Sequence, residues 1–149
     1  MSGDELKARA LRHLARREHS RAELAKKLAP YGEDAAIATV LDRMQELGLL
    51  SDRRFAECYV RSRAERLGRR RLEHELAQRG IDPEGIEDAL AAELGGGEVE
   101  RARLLWQKKF GLTAEDRKEW ARQARFLTAR GFSADVVRKV LKEPFDESA

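Results

Sequence analysis

Apolar residues recur along this chain three and four positions apart and rarely alternate, a spacing that predicts helices and gives no period for strands. Turn signals cut the pattern into about nine helices in three groups of three. Gly32, Gly80 and Gly131 are 48 and 51 residues apart, and Leu28, Leu76 and Leu127 each stand four places before one of them. The third helices repeat as well: Ile37 with Leu41, Ile86 with Leu90 and Val137 with Leu141 share i, i+4 spacing on one helix face. The predicted fold is all-α: three tandem three-helix repeats, helix-turn-helix-like and wingless, over residues 1–50, 51–96 and 97–149. A unit of that size buries too little surface to be comfortably stable alone, so the repeats are expected to share cores and stack into an elongated array.

Capping signals fix several boundaries. Ser20 with Glu23 has capping-box spacing, Asp82 precedes Pro83 as a cap precedes a first-turn proline, and Thr113 and Ser133 stand before acidic first turns. Gly48, Gly80 and Gly131 suit the left-handed residue that ends a helix. The run Gly95, Gly96, Gly97 is the one obvious hinge, between the second and third repeats. The link after Leu28 (Ala29, Pro30, Tyr31, Gly32) differs from its counterparts and blurs the first repeat's boundaries.

Composition sharpens this picture. Charged residues make up 38% and aromatics 6% of the 149 residues, a balance that favours a soluble helical protein with thin cores. The lone Cys58 cannot form an internal disulfide, which fits a reducing compartment; the charged first twenty residues read against a signal peptide, so a cytoplasmic location is expected, with no membrane contact. No phosphate-binding glycine loop, nucleophile elbow or isolated carboxylate pair is present, and no enzyme is expected. His13, His19 and His74 lack metal-ligand spacing, so neither a metal nor a cofactor is expected, and Cys58 reads as a small packing residue.

The formal charge of +3 conceals one basic block. From Arg53 to Arg79 there are nine arginines against four glutamates, whereas the chain before it is neutral and the chain after it acidic. Such a block points to an acidic partner, with nucleic acid or a nucleoprotein foremost. On a helical wheel Phe55, Ala56, Tyr59, Val60 and Leu67 form an apolar arc that also contains Arg63, so Arg63 is expected to be half-buried and tethered, with Asp52 the first choice of partner. Arg54 and Arg61 project from the opposite side near Glu57 and Glu65. Arg69, Arg70 and Arg71 follow Gly68 and open the next helix, where the dipole disfavours cations; without compensation that placement suggests a contact surface for carboxylate or phosphate. Lys108, Lys109 and Arg125, with Arg101, Arg103 and Arg122 nearby, form a secondary basic candidate, and Trp106, Phe110, Trp120 and Phe126 read as the third repeat's core.

The ordered set Asp52, Phe55, Ala56, Tyr59, Val60, Arg63, then Gly68 with its arginines, Leu72, Leu76 and Gly80-Ile81-Asp82, resembles the RecX family, small regulators of the RecA recombinase. Leu127, Arg130, Gly131, Phe132 and Val137 extend the resemblance. It implies a regulator that binds the RecA filament on single-stranded DNA, in its groove, and restrains its ATPase, strand exchange and extension, hence recombination and repair. In that reading Arg54, Arg61, Arg69, Arg70, Arg71, Lys108, Lys109 and Arg125 face the partner. Asp52, Phe55, Tyr59, Arg63, Gly68, Leu72, Leu76, Gly80, Leu127 and Gly131 hold the scaffold, and a monomer is expected. The alternative is a helical DNA-binding protein whose central arginine cluster touches phosphates weakly and without sequence preference.

Overall fold

The computed structural model describes residues 2–142; the final residues assigned by sequence to the third repeat, 143–149, lie outside them. Among the described residues there are nine α-helices, one 3-10 turn and no strand. The helices are α1 (Gly3–Arg16), α2 (Arg21–Leu28), α3 (Asp34–Glu46), α4 (Asp52–Arg63), α5 (Arg69–Gln78), α6 (Pro83–Glu93), α7 (Glu98–Lys109), α8 (Arg117–Ala129) and α9 (Ala134–Leu141). Residues group into two compact units, Met1–Tyr59 with Leu76–Ala92, and Val60–Glu75 with Glu93–Ala149. The division falls within α4, within α5 and at the end of α6 beside the glycine run, so the middle group of three helices belongs to both units.

In the first unit α1, α2 and α3 pack on one another. Leu6 and Ala10 of α1 meet Leu24, Leu28, Ile37, Val40, Leu41, Met44 and Leu50 in one apolar cluster, edged by Leu14, Ala25 and Tyr31. The residues predicted from periodicity are thus the ones that lose water. The Ser20–Glu23 capping box forms in both directions, each side chain accepting from the other residue's backbone N–H. The link after Leu28 becomes the 3-10 turn Ala29–Tyr31. Gly32 is extended, and unlike Gly48 and Gly80 it is not a left-handed helix terminator.

In the second unit α9 packs against α7 and α8. Ala102, Leu105, Leu127, Phe132, Val137, Val140 and Leu141 are buried, whereas Trp106, Trp120 and Phe126 are only partly buried against them, and Phe110 meets Phe126 edge-on at 5.3 Å. The aromatics border this core, and aliphatic side chains fill it. That corrects the sequence expectation and follows from the thinness of a three-helix unit, which lacks the depth to enclose an indole. Ser133 caps α9 as predicted, but α8 is capped by Asp116, not Thr113, because the helix starts later than the sequence signal suggests.

Candidate interaction surface

Each unit holds a joint in which the end of one second helix meets the start of another. In the first unit the Ser20 hydroxyl donates to the Arg79 carbonyl at 2.7 Å. A side chain at Gly80 would strike the Ala22 methyl, so the chain can approach α2 this closely only because Gly80 lacks one. Asp52, at the start of α4, accepts the Arg21 N–H at 2.7 Å and satisfies one of the free amides that open α2. Asp52 is therefore committed to α2 and is not the partner of Arg63, which reaches the Ser62 hydroxyl at 2.8 Å.

In the second unit the same arrangement recurs at α5 and α8. Gly68 N–H donates to the Arg130 carbonyl at 2.6 Å, and Arg70 N–H to the Gly131 carbonyl at 3.2 Å. A β-carbon at Gly68 would lie 2.5 Å from the Gly131 carbonyl oxygen, and one at Gly131 would overlap Arg71, so two glycines permit a backbone-to-backbone contact. The carbonyl end of α8 thus faces the amide end of α5. Arg71 reaches the Ala129 carbonyl at 3.0 Å, and the Arg69 N–H donates to Glu98 at 3.2 Å. Glu98 also pairs with Arg101, whose guanidinium donates to the Ala64 and Leu67 carbonyls at 3.0 and 2.6 Å. Arg101, counted by sequence among the basic candidates, instead satisfies carbonyls around the end of α4.

This geometry corrects the premise drawn from Arg69, Arg70 and Arg71. Cations at the start of α5 are compensated by the negative end of α8 and by acids one turn on, with Arg69 pairing Glu73 at 2.9 Å and Arg71 pairing Glu75 at 2.5 Å. Arg70 differs: its side chain is exposed and pairs with no carboxylate among the described residues. Arg54 and Arg61 are engaged too, although not with Glu57 and Glu65. Arg54 grips Glu18 and the Leu49 carbonyl, and Arg61 makes a two-pronged contact with Glu93 at 2.7 and 3.0 Å. Hydrogen bonding from Arg61 holds the Glu93 carboxyl below the usual carboxylate range. Glu57 is taken by Arg53 at 3.2 Å. Such exposed pairs are screened by solvent and contribute little to stability, so a partner carboxylate or phosphate can displace them at small cost.

In the third repeat Lys108, Lys109 and Arg125 are exposed. The Lys109 ammonium lies 5.6 Å from the centre of the Phe126 ring, which Arg130 approaches from 4.8 Å, and Arg122 is tied to Glu119 at 2.8 Å. The structural residues named from sequence fall where a scaffold needs them. Phe55, Tyr59, Leu72, Leu76 and Leu127 are buried, and Phe55 and Tyr59 have ring centres 5.7 Å apart. Among the described residues no group of three or more His, Cys, Asp or Glu could hold a metal, and no helix is long and apolar enough to cross a membrane.

Family models of the three helical domains of RecX match in order: the first over residues 7–44, the second over 51–90 and the third over 97–141. The chain belongs to the RecX family. It is 53% identical over 138 residues to "Regulatory protein RecX" of Leptothrix cholodnii, covering 92% of this chain and 87% of that one. It is 44% identical over 138 residues to the protein of the same name from Herminiimonas arsenicoxydans, covering 92% and 91%. Among solved structures, RecX from Lactobacillus salivarius superposes with a TM-score of 0.78 at 26% identity, covering 95% of both chains. These relatives carry the name of a regulatory protein, and a RecX fold of three helical domains in tandem is what the helix order displays.

Proposed function

We propose that this chain regulates the RecA recombinase by binding its filament on single-stranded DNA in the cytoplasm and restraining ATP hydrolysis, strand exchange and filament extension. The observation that carries this reading is the ordered match of all three RecX domains across residues 7–141, together with whole-length relatives named as regulatory proteins. Regulation by binding suits a chain with cations on several helices, because linked weak contacts raise effective concentration without any one strong site. Within the sequence-derived set Arg70, Lys108 and Arg125 are exposed and meet no carboxylate or aromatic ring among the described residues, and Arg70 needs no internal partner released before it meets a carboxylate or phosphate.

The test is titration of the chain into preformed recombinase filaments on single-stranded DNA, reading ATP hydrolysis. Suppression at substoichiometric levels is expected, and Arg70→Glu should raise the half-inhibitory concentration about tenfold, the size of one lost charge-assisted contact. No suppression by a folded wild-type chain at stoichiometric levels sinks the reading.

A further inference from the structure

The basic block is not where unpaired positive charge converges most closely. Arg9, Arg12, His13 and Arg16 occur at i, i+3, i+4 and i+7, which puts them on one face of α1. Several arginines elsewhere meet an acid one turn away, as Arg43 meets Glu46 and Arg103 meets Glu100. Arg9, Arg12 and Arg16 meet none among the described residues, and neither does Lys27 of α2. The guanidinium of Arg9 lies 3.6 Å over the Tyr31 ring, a stacked position that fixes it with its edge free to donate.

Two imidazoles join α1 to Lys27. His13 and His19 have ring centres 5.7 Å apart. His19 Nδ1 lies 3.0 Å from the Arg17 carbonyl, which can only accept, so Nδ1 carries the proton and Nε2 accepts from the Lys27 ammonium at 2.9 Å. His19 is buried and serves as a post that holds Lys27 toward α1. Lys27 also lines an open groove of about 530 Å³ with Lys26, Gln78 and Arg79, continuing the positive track; the one acid in that groove, Glu23, is already occupied by Ser20 and Arg17.

We propose that this α1–α2 face, with Arg9, Arg12, His13, Arg16 and Lys27, binds the phosphodiester backbone of a nucleic-acid strand without reading its sequence. The row from residue 9 to residue 16 runs about 10 Å along α1 at 1.5 Å per residue. That length is enough to meet successive phosphates of one strand. It carries arginine forks that match phosphate oxygens and no Asn or Gln to read base edges. A permanent dense anion is also what makes an unpaired cluster of cations tolerable, since each cation in the free protein repels the others.

The geometry gives binding a proton signature. Burial and then the charges of Lys27, Arg16, Arg12 and Arg9 hold the His13 pKa below its ordinary value, and burial lowers that of His19, whose other neighbours are Arg17, Lys27 and Glu23. A phosphate entering among these cations offsets their field and raises the His13 pKa, so binding takes up a proton and tightens as pH falls.

The experiment measures anisotropy of a fluorescein-labelled dT oligonucleotide with the full chain and no recombinase, so its failure is distinct from failure of the filament reading. Arg12→Gln with Arg16→Gln should weaken binding about tenfold and flatten the slope of log K against log salt by about 1.4, two contacts at about 0.7 each for a single strand. Circular dichroism should show unchanged helicity, since both side chains are exposed and unpaired. His13→Asn should lose the gain in affinity that wild type shows on going from pH 8 to pH 6. Unchanged affinity and salt slope in the folded double variant overturns the proposal. So does displacement of the labelled strand by poly-glutamate as effectively, charge for charge, as by unlabelled dT, which would assign the face to an acidic protein.

Discussion

Gly131 shows how much a single residue can decide. Its φ of +99° lies where L side chains are strained, and a β-carbon there would overlap Arg71 at the start of α5. Gly131→Ala adds both penalties at once, so it should destabilise the fold by about 2–4 kcal/mol, read as a drop in the urea midpoint with little change in slope. A midpoint within the error of wild type would show that α8 does not need to meet α5 this closely. The same contact explains what was legible at residue scale. Gly131 could be read from sequence because a helix terminator has a local signal, whereas its pairing with Gly68, 63 positions earlier, had none. Arg101 was misread for the same reason: nothing beside it in sequence announces the carbonyls of Ala64 and Leu67.

Among the elements, α2 carries the fullest set of end contacts: Ser20 and Glu23 satisfy one another's amides, Asp52 takes the Arg21 N–H, and Arg79 offers its carbonyl to the Ser20 hydroxyl. Burial alone would raise the Glu23 pKa, but the hydrogen bond from Ser20 and the Arg17 guanidinium outweigh it and leave the carboxyl below its ordinary value. A depressed folded pKa means the unfolded chain binds the proton more readily. The stabilisation from Glu23 is therefore complete above the unfolded carboxylate pKa, about 4.3, and is lost as pH falls through the lower folded value. Glu23→Gln retains an acceptor for Ser20 but cannot titrate, so its melting temperature should fall less than that of wild type between about pH 5 and pH 3. Parallel losses would assign the acid sensitivity to Glu93 and Glu119, which are also held low by arginines. Helix existence, order and most caps were legible because periodicity and capping are local. The start of α8 was not, since Asp116 and Thr113 offer similar signals and only packing selects between them.

At the scale of the whole molecule, charge composition drew attention to residues 53–79, and the folded chain redistributes the meaning of that charge. Arg54, Arg61, Arg69 and Arg71 spend part of their valence on Glu18, Glu93, Glu73 and Glu75, while the neutral sum of residues 1–52 hides the cationic face of α1. Net charge over a segment cannot reveal this, because it counts acids that lie on another helix face as if they were neighbours. Two surfaces with different ligands should be separable by mutation. Arg70→Glu should impair inhibition of recombinase ATPase about tenfold while changing dT oligonucleotide affinity less than about threefold, a single long-range charge effect. Arg12→Gln with Arg16→Gln should do the reverse. If each variant loses both activities to the same degree while remaining folded, the recombinase and the strand share one continuous surface, and the division into an Arg70 face and an α1 face fails.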